Sequence, residues 1–321
     1  NNPYIIAEIG FNHEGDLLKA AKMIEAAAEA GTSAVKFQTF RAGDIALPSS
    51  PHYKMIERAE MNLEIHQQLA LIARECGVDF LSTPFSNWAV DILEKVDVRA
   101  YKVASMDLTN YPLLSYIVQT RKPIYLSTGM ATLSEITATV DYLKEKSVNE
   151  LYLLHCLSLY PPKAEELNLS VIPFLKEVFN VPVGYSNHFP GTKACLAAFM
   201  HGADIIETHF TLDTSLPGGD HANSTDPVQL KQLVEDIQLF ITMRGSGDIS
   251  SKRADRININ LFRRGVYAVK DIEQGTPLSK ELLIFCRPPT ELSPNDLKWI
   301  EGRMIRRKVQ KGQALLLEDI Y

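Results

Sequence analysis

Residues 4–38 read YIIAEIGFNHEGDLLKAAKMIEAAAEAGTSAVKFQ, a stretch that contains a whole strand–helix–strand unit. The runs Tyr4–Ile9 and Ala34–Gln38 are typical of buried parallel strands, because most of their apolar residues are consecutive rather than alternating. Between them, Leu17–Ala30 has apolar residues at helical spacing and stops at Gly31, which is typical of a helix followed by a C-terminal glycine. We therefore predict a parallel βαβ unit here.

The same unit recurs along the first three quarters of the chain. A second helix, Asn62–Cys76, ends at Gly77, and a last helix is predicted near Pro227–Met243. Eight β-rich runs alternate with the helical stretches: Tyr4–Ile9, Ala34–Gln38, Val78–Ser82, Ala100–Val103, Pro123–Ser127, Leu151–Cys156, Val181–Tyr185 and Asp204–His209. Eight such units over about 240 residues predict an α/β fold, a (β/α)8 TIM barrel over residues 1–245.

The remainder of the chain differs from the first part in composition and in residue pattern. A polar stretch with Gly and Ser predicts a linker over residues 246–262. Beyond it, the runs Gly265–Val269 and Leu282–Cys286, with glycine-containing turns, predict a small β-rich domain over residues 263–321. A domain of roughly sixty residues folds independently only marginally, so we expect it to need a partner surface.

Composition excludes several classes of protein. With 321 residues, 45% of them hydrophobic, the chain is expected to fold as a globule, and its net charge of −6 argues against a nucleic-acid coat protein. No apolar run approaches the ~18 residues that cross a bilayer, so no membrane span is expected. The four cysteines lack a C-x-x-C pairing, and Asn1-Asn2-Pro3 starts no signal-peptide pattern. We therefore expect free thiols and a cytoplasmic protein.

Polar side chains stand at the ends of nearly all the predicted strands. In a barrel of this type the reactive groups lie at the carboxyl ends of the strands. The strand-end residues are Glu8, Lys36, Gln38, Ser82, Thr83, Lys102, Ser105, Ser127, Thr128, His155, Ser158, Ser186, His188, Glu207 and His209. We expect them to meet at one mouth of the barrel.

Two of these residues are lysines in otherwise apolar strands. Lys36 and Lys102, with the hydroxyls of Ser105, Ser127 and Ser186, have the chemistry of a phosphate and carboxylate site. Burying two lysines without anionic partners would cost several kcal/mol, which a bound anion would offset. The alternative is that each lysine pairs with a neighbouring acid and ties strands together. Considered jointly, the two lysines favour the anion site.

His188 and His209 end neighbouring predicted strands, so two imidazoles are expected at one point of the rim. Imidazole binds divalent metals such as Mn²⁺ or Zn²⁺, and Glu8 or Asp220 would complete or orient the ligand shell. For a single histidine, hydrogen bonding in the core is the better interpretation. The adjacency of this pair favours a metal site.

Two glycine-containing segments allow two interpretations. Gly218-Gly219-Asp220-His221 permits close backbone approach and lets Asp220 face the rim, but it also fits an ordinary Gly-Asp turn. Asn12-His13-Glu14-Gly15 either belongs to the same rim or forms a turn in which His13 caps the next helix.

Six short motifs together resemble the sialic acid synthase family. They are Ala7-Glu8-Ile9-Gly10-Phe11-Asn12-His13-Glu14-Gly15, Val35-Lys36-Phe37-Gln38-Thr39, Ser82-Thr83-Pro84-Phe85-Ser86, Leu126-Ser127-Thr128-Gly129-Met130, Leu154-His155-Cys156 and Glu207-Thr208-His209-Phe210. The tail, with Tyr267–Ile272 and Arg287-Pro288, is similar to the antifreeze-like (SAF) domain of these synthases. The resemblance extends over nearly the whole chain.

The resemblance implies a reaction and a set of site residues. The reaction is the condensation of phosphoenolpyruvate with an N-acylated hexosamine, N-acetylmannosamine or a related diacetamido sugar, to a nine-carbon 2-keto-3-deoxy acid and phosphate. The residues implied to be catalytic are Glu8, His188, His209 and Asp220. Those implied to bind substrate are Lys36, Thr83, Lys102, Ser105, Asp107, Ser127, Ser158, Tyr160, Ser186 and Arg287.

The resemblance also implies a cofactor and a partner. His188 and His209 would bind a divalent metal, Mn²⁺ in the first place and Mg²⁺ or Co²⁺ otherwise. The partner is a second copy of the chain, in a domain-swapped homodimer where Arg287 of one chain helps to bind the sugar in the other chain's site.

Three positions depart from the family's pattern and bear on the identity of the sugar. They are Asp107 in place of a glutamate, Asn187 in place of an aspartate and Gly219 in place of a proline. Three alternatives stay open: a legionaminic or pseudaminic acid synthase, a related synthase that makes seven- or eight-carbon keto acids from phosphorylated sugars, and a non-catalytic polysaccharide-assembly protein.

Overall fold

In a computed structural model of the protein, eight parallel strands pair in chain order and close into a barrel. The structure describes residues 2–148, 150–249 and 254–321. The strands are β1 Tyr4–Glu8, β2 Ala34–Thr39, β3 Asp79–Pro84, β4 Tyr101–Val103, β5 Ile124–Ser127, β6 Leu151–Cys156, β7 Val183–Asn187 and β8 Ile205–His209. Because β1 pairs with both β2 and β8, the ring is closed and the predicted TIM barrel is confirmed.

Helices connect the strands and cover the barrel: α1 Leu17–Glu29, α2 Ala42–Ile45, α3 Tyr53–Arg58, α4 Leu63–Glu75, α5 Asn87–Val96, α6 Tyr111–Val118, α7 Leu133–Glu145, α8 Val171–Phe179, α9 Lys193–Met200 and α10 Pro227–Arg244. Within the described ranges, none of the helices combines the length and apolar character that a bilayer crossing requires. Asp16 caps α1, since its carboxylate accepts from the N–H groups of Leu18 and Lys19. The interpretation of His13 as this cap is therefore wrong; His13 is buried, and its Nδ1 accepts from the N–H of Gly15.

Apolar side chains fill the barrel below its mouth. The interior cluster consists of Ile6, Ala34, Leu81, Ala100, Tyr125, Leu154 and Ile205. A larger apolar cluster packs the strands against the surrounding helices. Because alternate residues of a strand point to the same face, the residue two positions after each interior residue also points into the barrel, one step nearer the carboxyl end. This spacing of two residues along each strand determines which side chains form the site.

A second compact unit, Gly245–Tyr321, follows the barrel unit Asn1–Arg244 and has an apolar core of its own. Its strands β9 (Gly265–Ala268) and β10 (Leu283–Cys286) pair antiparallel, as expected of the predicted β-rich domain. A short helix, α12, comprises Leu297–Ile300.

The segment predicted as a linker, 246–262, is partly helical. Ala254–Asn258 forms a 3₁₀ turn, and the short helix α11 (Ile259–Phe262) follows it directly. Residues 250–253 of the predicted linker lie outside the described residues.

Candidate active site at the carboxyl ends of the barrel strands

A cavity of about 410 Å³ is lined by side chains from the carboxyl ends of all eight barrel strands. One residue from each strand forms what we call the floor: Glu8, Lys36, Thr83, Lys102, Ser127, Cys156, Ser186 and Glu207. Most of them stand two positions beyond an interior apolar residue. The next step along the same faces adds Gln38, Phe85, Ala104, Ser158, His188 and His209. The two-residue period of the strands therefore builds the site.

Most of the predicted site residues line this cavity: Glu8, Lys36, Thr83, Lys102, Ser105, Ser127, Ser158, Tyr160, Ser186, His188, His209 and Asp220. Asp107 does not; it is buried, Asn110 Nδ2 donates to its Oδ1, and burial raises the pKa of its carboxyl. Arg287 belongs to the second unit, where its guanidinium carbon lies 4.8 Å from the centre of the Phe262 ring.

Both lysines of the floor have carboxylate partners inside the protein. Lys36 Nζ lies 2.5 Å from Glu8 Oε2 and 3.8 Å from Glu207 Oε2, and Lys102 Nζ lies 3.9 Å from Glu207 Oε1. All four side chains are buried. Two ammonium groups thus face two carboxylates, and the floor has no net charge when all four are ionised. The argument that these lysines need a bound anion to balance them is therefore wrong, because Glu8 and Glu207 together balance them. Glu207 is one of the strand-end residues expected at the mouth but is not among the residues that the resemblance implies for the site.

The two lysines are not balanced equally. Burial would lower the pKa of Lys36, but Glu207 and Glu8 raise it above its ordinary value. Burial does lower the pKa of Lys102, since Glu207 at 3.9 Å offsets the loss of water only in part. Lys102 Nζ also donates to Ser127 Oγ at 2.6 Å. Lys102 is accordingly the cation of the floor that would gain most from an anion.

Glu207 is the carboxylate that both lysines share. Ser186 Oγ donates to its Oε1 at 2.8 Å. Burial would raise the pKa of Glu207, but Lys102 and Lys36 together lower it to about 2. Its Oε2 is buried without a hydrogen-bond partner among the described residues, the nearest ammonium being Lys36 Nζ at 3.8 Å. Glu207 is therefore ionised near neutral pH, with an acceptor atom to spare.

The loop after β5 brings small polar groups together around Gly129. The Gly129 N–H donates to Ser105 Oγ at 3.0 Å, and Ser105 Oγ lies 3.1 Å from Cys156 Sγ. A Cβ at position 129 would lie 2.7 Å from the Oγ atoms of both Ser105 and Ser158. Only glycine leaves room for these two hydroxyls at the cavity wall.

At the ends of β7 and β8, the ring centres of His188 and His209 are 5.3 Å apart. His188 Nδ1 donates to the carbonyl of Leu157 at 2.5 Å, so its Nε2 carries the free lone pair. Burial, together with His209, lowers the pKa of His188 to about 4, which keeps this ring neutral near pH 7. His209 Nδ1 lies 3.5 Å from Asp220 Oδ2 and is buried without a hydrogen-bond partner among the described residues. Tyr160 stacks on His188 at 4.1 Å.

These imidazoles fit a metal that takes few ligands from the chain. Within the described ranges, no group of three or more His, Cys, Asp or Glu side chains is arranged to hold a metal ion. His188 nonetheless has its tautomer fixed by a backbone carbonyl, and His209 has an unpartnered buried nitrogen. A metal held by this pair would leave its other coordination positions to water or substrate, as catalytic metal sites do.

Two of the departures from the family's pattern have local explanations. Asn187 Nδ2 donates to the carbonyls of Phe189 and Gly191, and its Oδ1 accepts from the Tyr185 hydroxyl. An aspartate has no N–H to donate, so the amide suits this buried position. Gly219 has φ +53°, which a proline cannot adopt.

Comparison with known proteins gives matches over both units. The model of the NeuB family matches residues 23–249, and that of the SAF domain matches residues 263–320. The N,N'-diacetyllegionaminic acid synthase of Legionella pneumophila is 37% identical, over 99% of this chain and 94% of its own. A pseudaminic acid synthase of Campylobacter jejuni is 33% identical, over 98% of this chain and 96% of its own. The N-acetylneuraminic acid (sialic acid) synthetase of Leptospira borgpetersenii, crystallised in complex with citrate, has a TM-score of 0.77 and 34% identity, over 81% of this chain and 90% of that one.

Proposed function

Because the chain belongs to the NeuB family, we propose that it condenses phosphoenolpyruvate with the open-chain form of an N-acylated hexosamine to a nine-carbon 2-keto-3-deoxy acid and phosphate. The named relatives are synthases of diacetyllegionaminic, pseudaminic and sialic acids. The observation that carries the proposal is the floor, where two buried lysines and several hydroxyls converge on one cavity. The fold alone would not support this proposal, because one fold can carry many unrelated activities.

Phosphoenolpyruvate is assigned to the floor. Lys102 and Ser127 provide the least compensated cation and a hydroxyl beside it, and Lys36 with Thr83 stands on the neighbouring side. The further hydroxyls are those of Ser105, Ser158 and Ser186. Ammonium and hydroxyl donors from several strands suit a ligand that carries both a phosphate and a carboxylate.

The neutral floor supports a divalent cation as a cofactor. A ligand with a phosphate and a carboxylate would leave the cavity strongly negative, because Glu8 and Glu207 already cancel the two lysines. A metal on His188 and His209, Mn²⁺ in the first place and Mg²⁺ or Co²⁺ otherwise, would offset that charge. When bound, it would supply a Lewis acid for the aldehyde oxygen of the sugar.

The chain's own groups would then guide a balanced reaction. C3 of phosphoenolpyruvate bonds to the aldehyde carbon, and Glu8 faces the positive charge that develops at C2. Water adds to C2; one of its protons ends on the new hydroxyl of the sugar chain, and the other leaves with phosphate when the C2–O bond breaks. Lys36 and Lys102 hold the phosphate throughout and offset its charge as it departs.

The upper wall of the cavity favours a sugar with several methyl groups. It contains the apolar side chains of Phe11, Ile45, Met55, Phe85, Met106 and Met130. Among the described lining residues, Lys36 and Lys102 are the sole lysines or arginines, and both belong to the floor. The lining therefore offers no second cationic site for a phosphorylated sugar. A diacetamido-trideoxyhexose, of the legionaminic or pseudaminic type, fits this wall better than N-acetylmannosamine.

A panel of sugars, each with phosphoenolpyruvate and Mn²⁺, tests the proposal through phosphate release and product mass. We expect turnover with N-acetylmannosamine and about tenfold higher kcat/KM with a diacetamido-trideoxyhexose, because each of its two extra methyl groups gains about 0.8 kcal/mol on burial. N-acetylmannosamine 6-phosphate should be the poorer substrate. Preference for the phosphorylated sugar would favour the alternative of a synthase that makes seven- or eight-carbon keto acids from phosphorylated sugars. Absence of turnover with every sugar would favour a non-catalytic assembly protein.

A second copy of the chain is proposed to supply Arg287 to the sugar site. This part of the proposal comes from the family resemblance, and Arg287 is exposed within its own unit. The mass of the native protein in solution tests this pairing. If the protein is a monomer and still turns over both substrates, the proposal that a second copy supplies Arg287 fails.

Replacing His188 by alanine is expected to weaken divalent metal binding by about a hundredfold. Loss of a residue that only orients a metal ligand lowers metal affinity by about 10–100-fold, and loss of a direct ligand should cost at least as much as the upper end of that range. Metal analysis after dialysis against Mn²⁺ measures this directly, without any assay of turnover. His155→Ala is the matched control, since His155 Nε2 donates to the Leu167 carbonyl and does not line the cavity. Equal metal content in both variants would remove His188 from the metal site.

A further inference from the structure

Asn12 belongs to the segment Asn12–Gly15, which the sequence allowed to be either part of the rim or a turn. Its side chain is fully buried, and both the carbonyl oxygen and the amide group of that side chain form hydrogen bonds. Its Oδ1 accepts from the backbone N–H of Asp220 at 2.9 Å. Its Nδ2 donates to the carbonyl of Phe210 and to Ser224 Oγ, both at 2.9 Å. One amide thus joins the loop after β1 to the end of β8 and to the loop that carries Asp220.

Asp220 is held through both of its peptide groups. Its N–H donates to Asn12, and its carbonyl accepts from Ser224 Oγ at 2.7 Å. Ser224 Oγ in turn accepts from Asn12, which closes a small ring of hydrogen bonds. The preceding residue must be small as well, since a Cβ on Gly219 would lie 2.9 Å from Asn12 Oδ1.

The same loop is fastened to His209. The backbone N–H and the hydroxyl of Thr225 both donate to the His209 carbonyl, at 2.7 and 2.9 Å. With one end of the loop fixed there and Asp220 fixed by Asn12, the Asp220 carboxylate stands 3.5 Å from His209 Nδ1.

From these contacts we propose that Asn12 is a positioning residue, which fixes the backbone of Asp220 and thereby aims its carboxylate at the His209 ring. Asn12 does not line the cavity, so it acts through Asp220 and not on a substrate. The inference rests on the proposed function to the extent that Asp220 contacts the sugar or the metal's water. The floor, and with it phosphoenolpyruvate, lies outside this network.

The kinetic test compares Asn12→Ala with Thr211→Val. Thr211 is equally buried and its hydroxyl bonds His221 and Asp213, so it matches the loss of a buried hydrogen bond without touching Asp220. Asn12→Ala should lower kcat/KM for the sugar by roughly 10–100-fold, the usual effect of losing an outer-shell partner, and change the KM for phosphoenolpyruvate by less than about twofold. Thr211→Val should lower stability and leave both constants unchanged.

A double-mutant cycle separates positioning from general damage. In an Asp220→Ala background, Asn12→Ala should have less than about a twofold further effect, because its target is gone. Multiplicative effects of the two substitutions on kcat/KM for the sugar would overturn the proposal. So would a rise in the KM for phosphoenolpyruvate as large as the fall in kcat/KM for the sugar.

A readout without turnover keeps the inference distinct from the proposed function. Hydrogen exchange at the Asp220 amide, resolved by NMR in the substrate-free protein, should be faster in Asn12→Ala than in the unchanged chain or in Thr211→Val. If no sugar is turned over but this exchange rises, the proposed function fails and the contact stands. If the exchange is unchanged, the positioning role fails whatever the activity.

Discussion

Glu8→Gln is expected to lower kcat by about a thousandfold while phosphoenolpyruvate binds at least as tightly as in the unchanged chain. In the proposed reaction the carboxylate would supply the negative charge that faces C2, and an amide of the same shape would not. Glu8 Oε2 lies 2.5 Å from Lys36 Nζ, so its loss leaves Glu207, at 3.8 Å, as the remaining carboxylate within 4 Å of Lys36 among the described residues. A less compensated Lys36 should attract a phosphate or carboxylate more strongly.

Calorimetry with phosphoenolpyruvate alone and phosphate release with both substrates measure the two halves of this result. Glu14→Gln is the matched control, because it makes the same change six residues away on a half-exposed side chain that does not line the cavity. Unchanged turnover in Glu8→Gln would remove Glu8 from the chemistry. Loss of phosphoenolpyruvate binding with a normal melting temperature would assign Glu8 to substrate binding instead.

The barrel and the position of its site are predictable because both depend on local pattern. Consecutive apolar residues identify the parallel strands, and a polar residue at the end of each run identifies the mouth. The observed bounds differ from the predicted ones by at most two residues, as in β7, which is Val183–Asn187 instead of Val181–Tyr185. Such shifts do not alter which strand contributes which side chain.

The charge balance of the floor is harder to predict. The strand ends identify Glu207 as a candidate, and the two-residue step from Ile205 points it inward, yet nothing local says that its oxygens reach lysines on β2 and β4. That depends on the closure of the barrel. Asn12 and Asp220 raise the same difficulty, since they are separated by 208 residues. Loop contacts of this kind follow from the fold and not from any periodicity.

Glu207→Gln is expected to destabilise the barrel by about 3–5 kcal/mol, the range for breaking a buried ion pair by removing one partner. Among the described residues, Glu207 is the nearest carboxylate to Lys102 and the second nearest to Lys36, and all three side chains are buried. The variant would leave Lys102 without a carboxylate within 4 Å among the described residues. By comparison, Glu14→Gln breaks a partly exposed pair with Lys19 and should cost less than about 1 kcal/mol.

Urea unfolding measures this difference if the barrel is observed alone. The two tryptophans, Trp88 and Trp299, lie in different units, so a Trp299→Phe background leaves Trp88 as a fluorescent reporter of the barrel. A loss no larger than that of Glu14→Gln would mean that Glu207 does not balance the floor. Adding Lys102→Met to Glu207→Gln should recover part of the loss, because removing both members of a buried pair leaves no uncompensated charge between them. A double variant less stable than Glu207→Gln would indicate that Lys102 stabilises the barrel through Ser127 and its packing, and not through its charge.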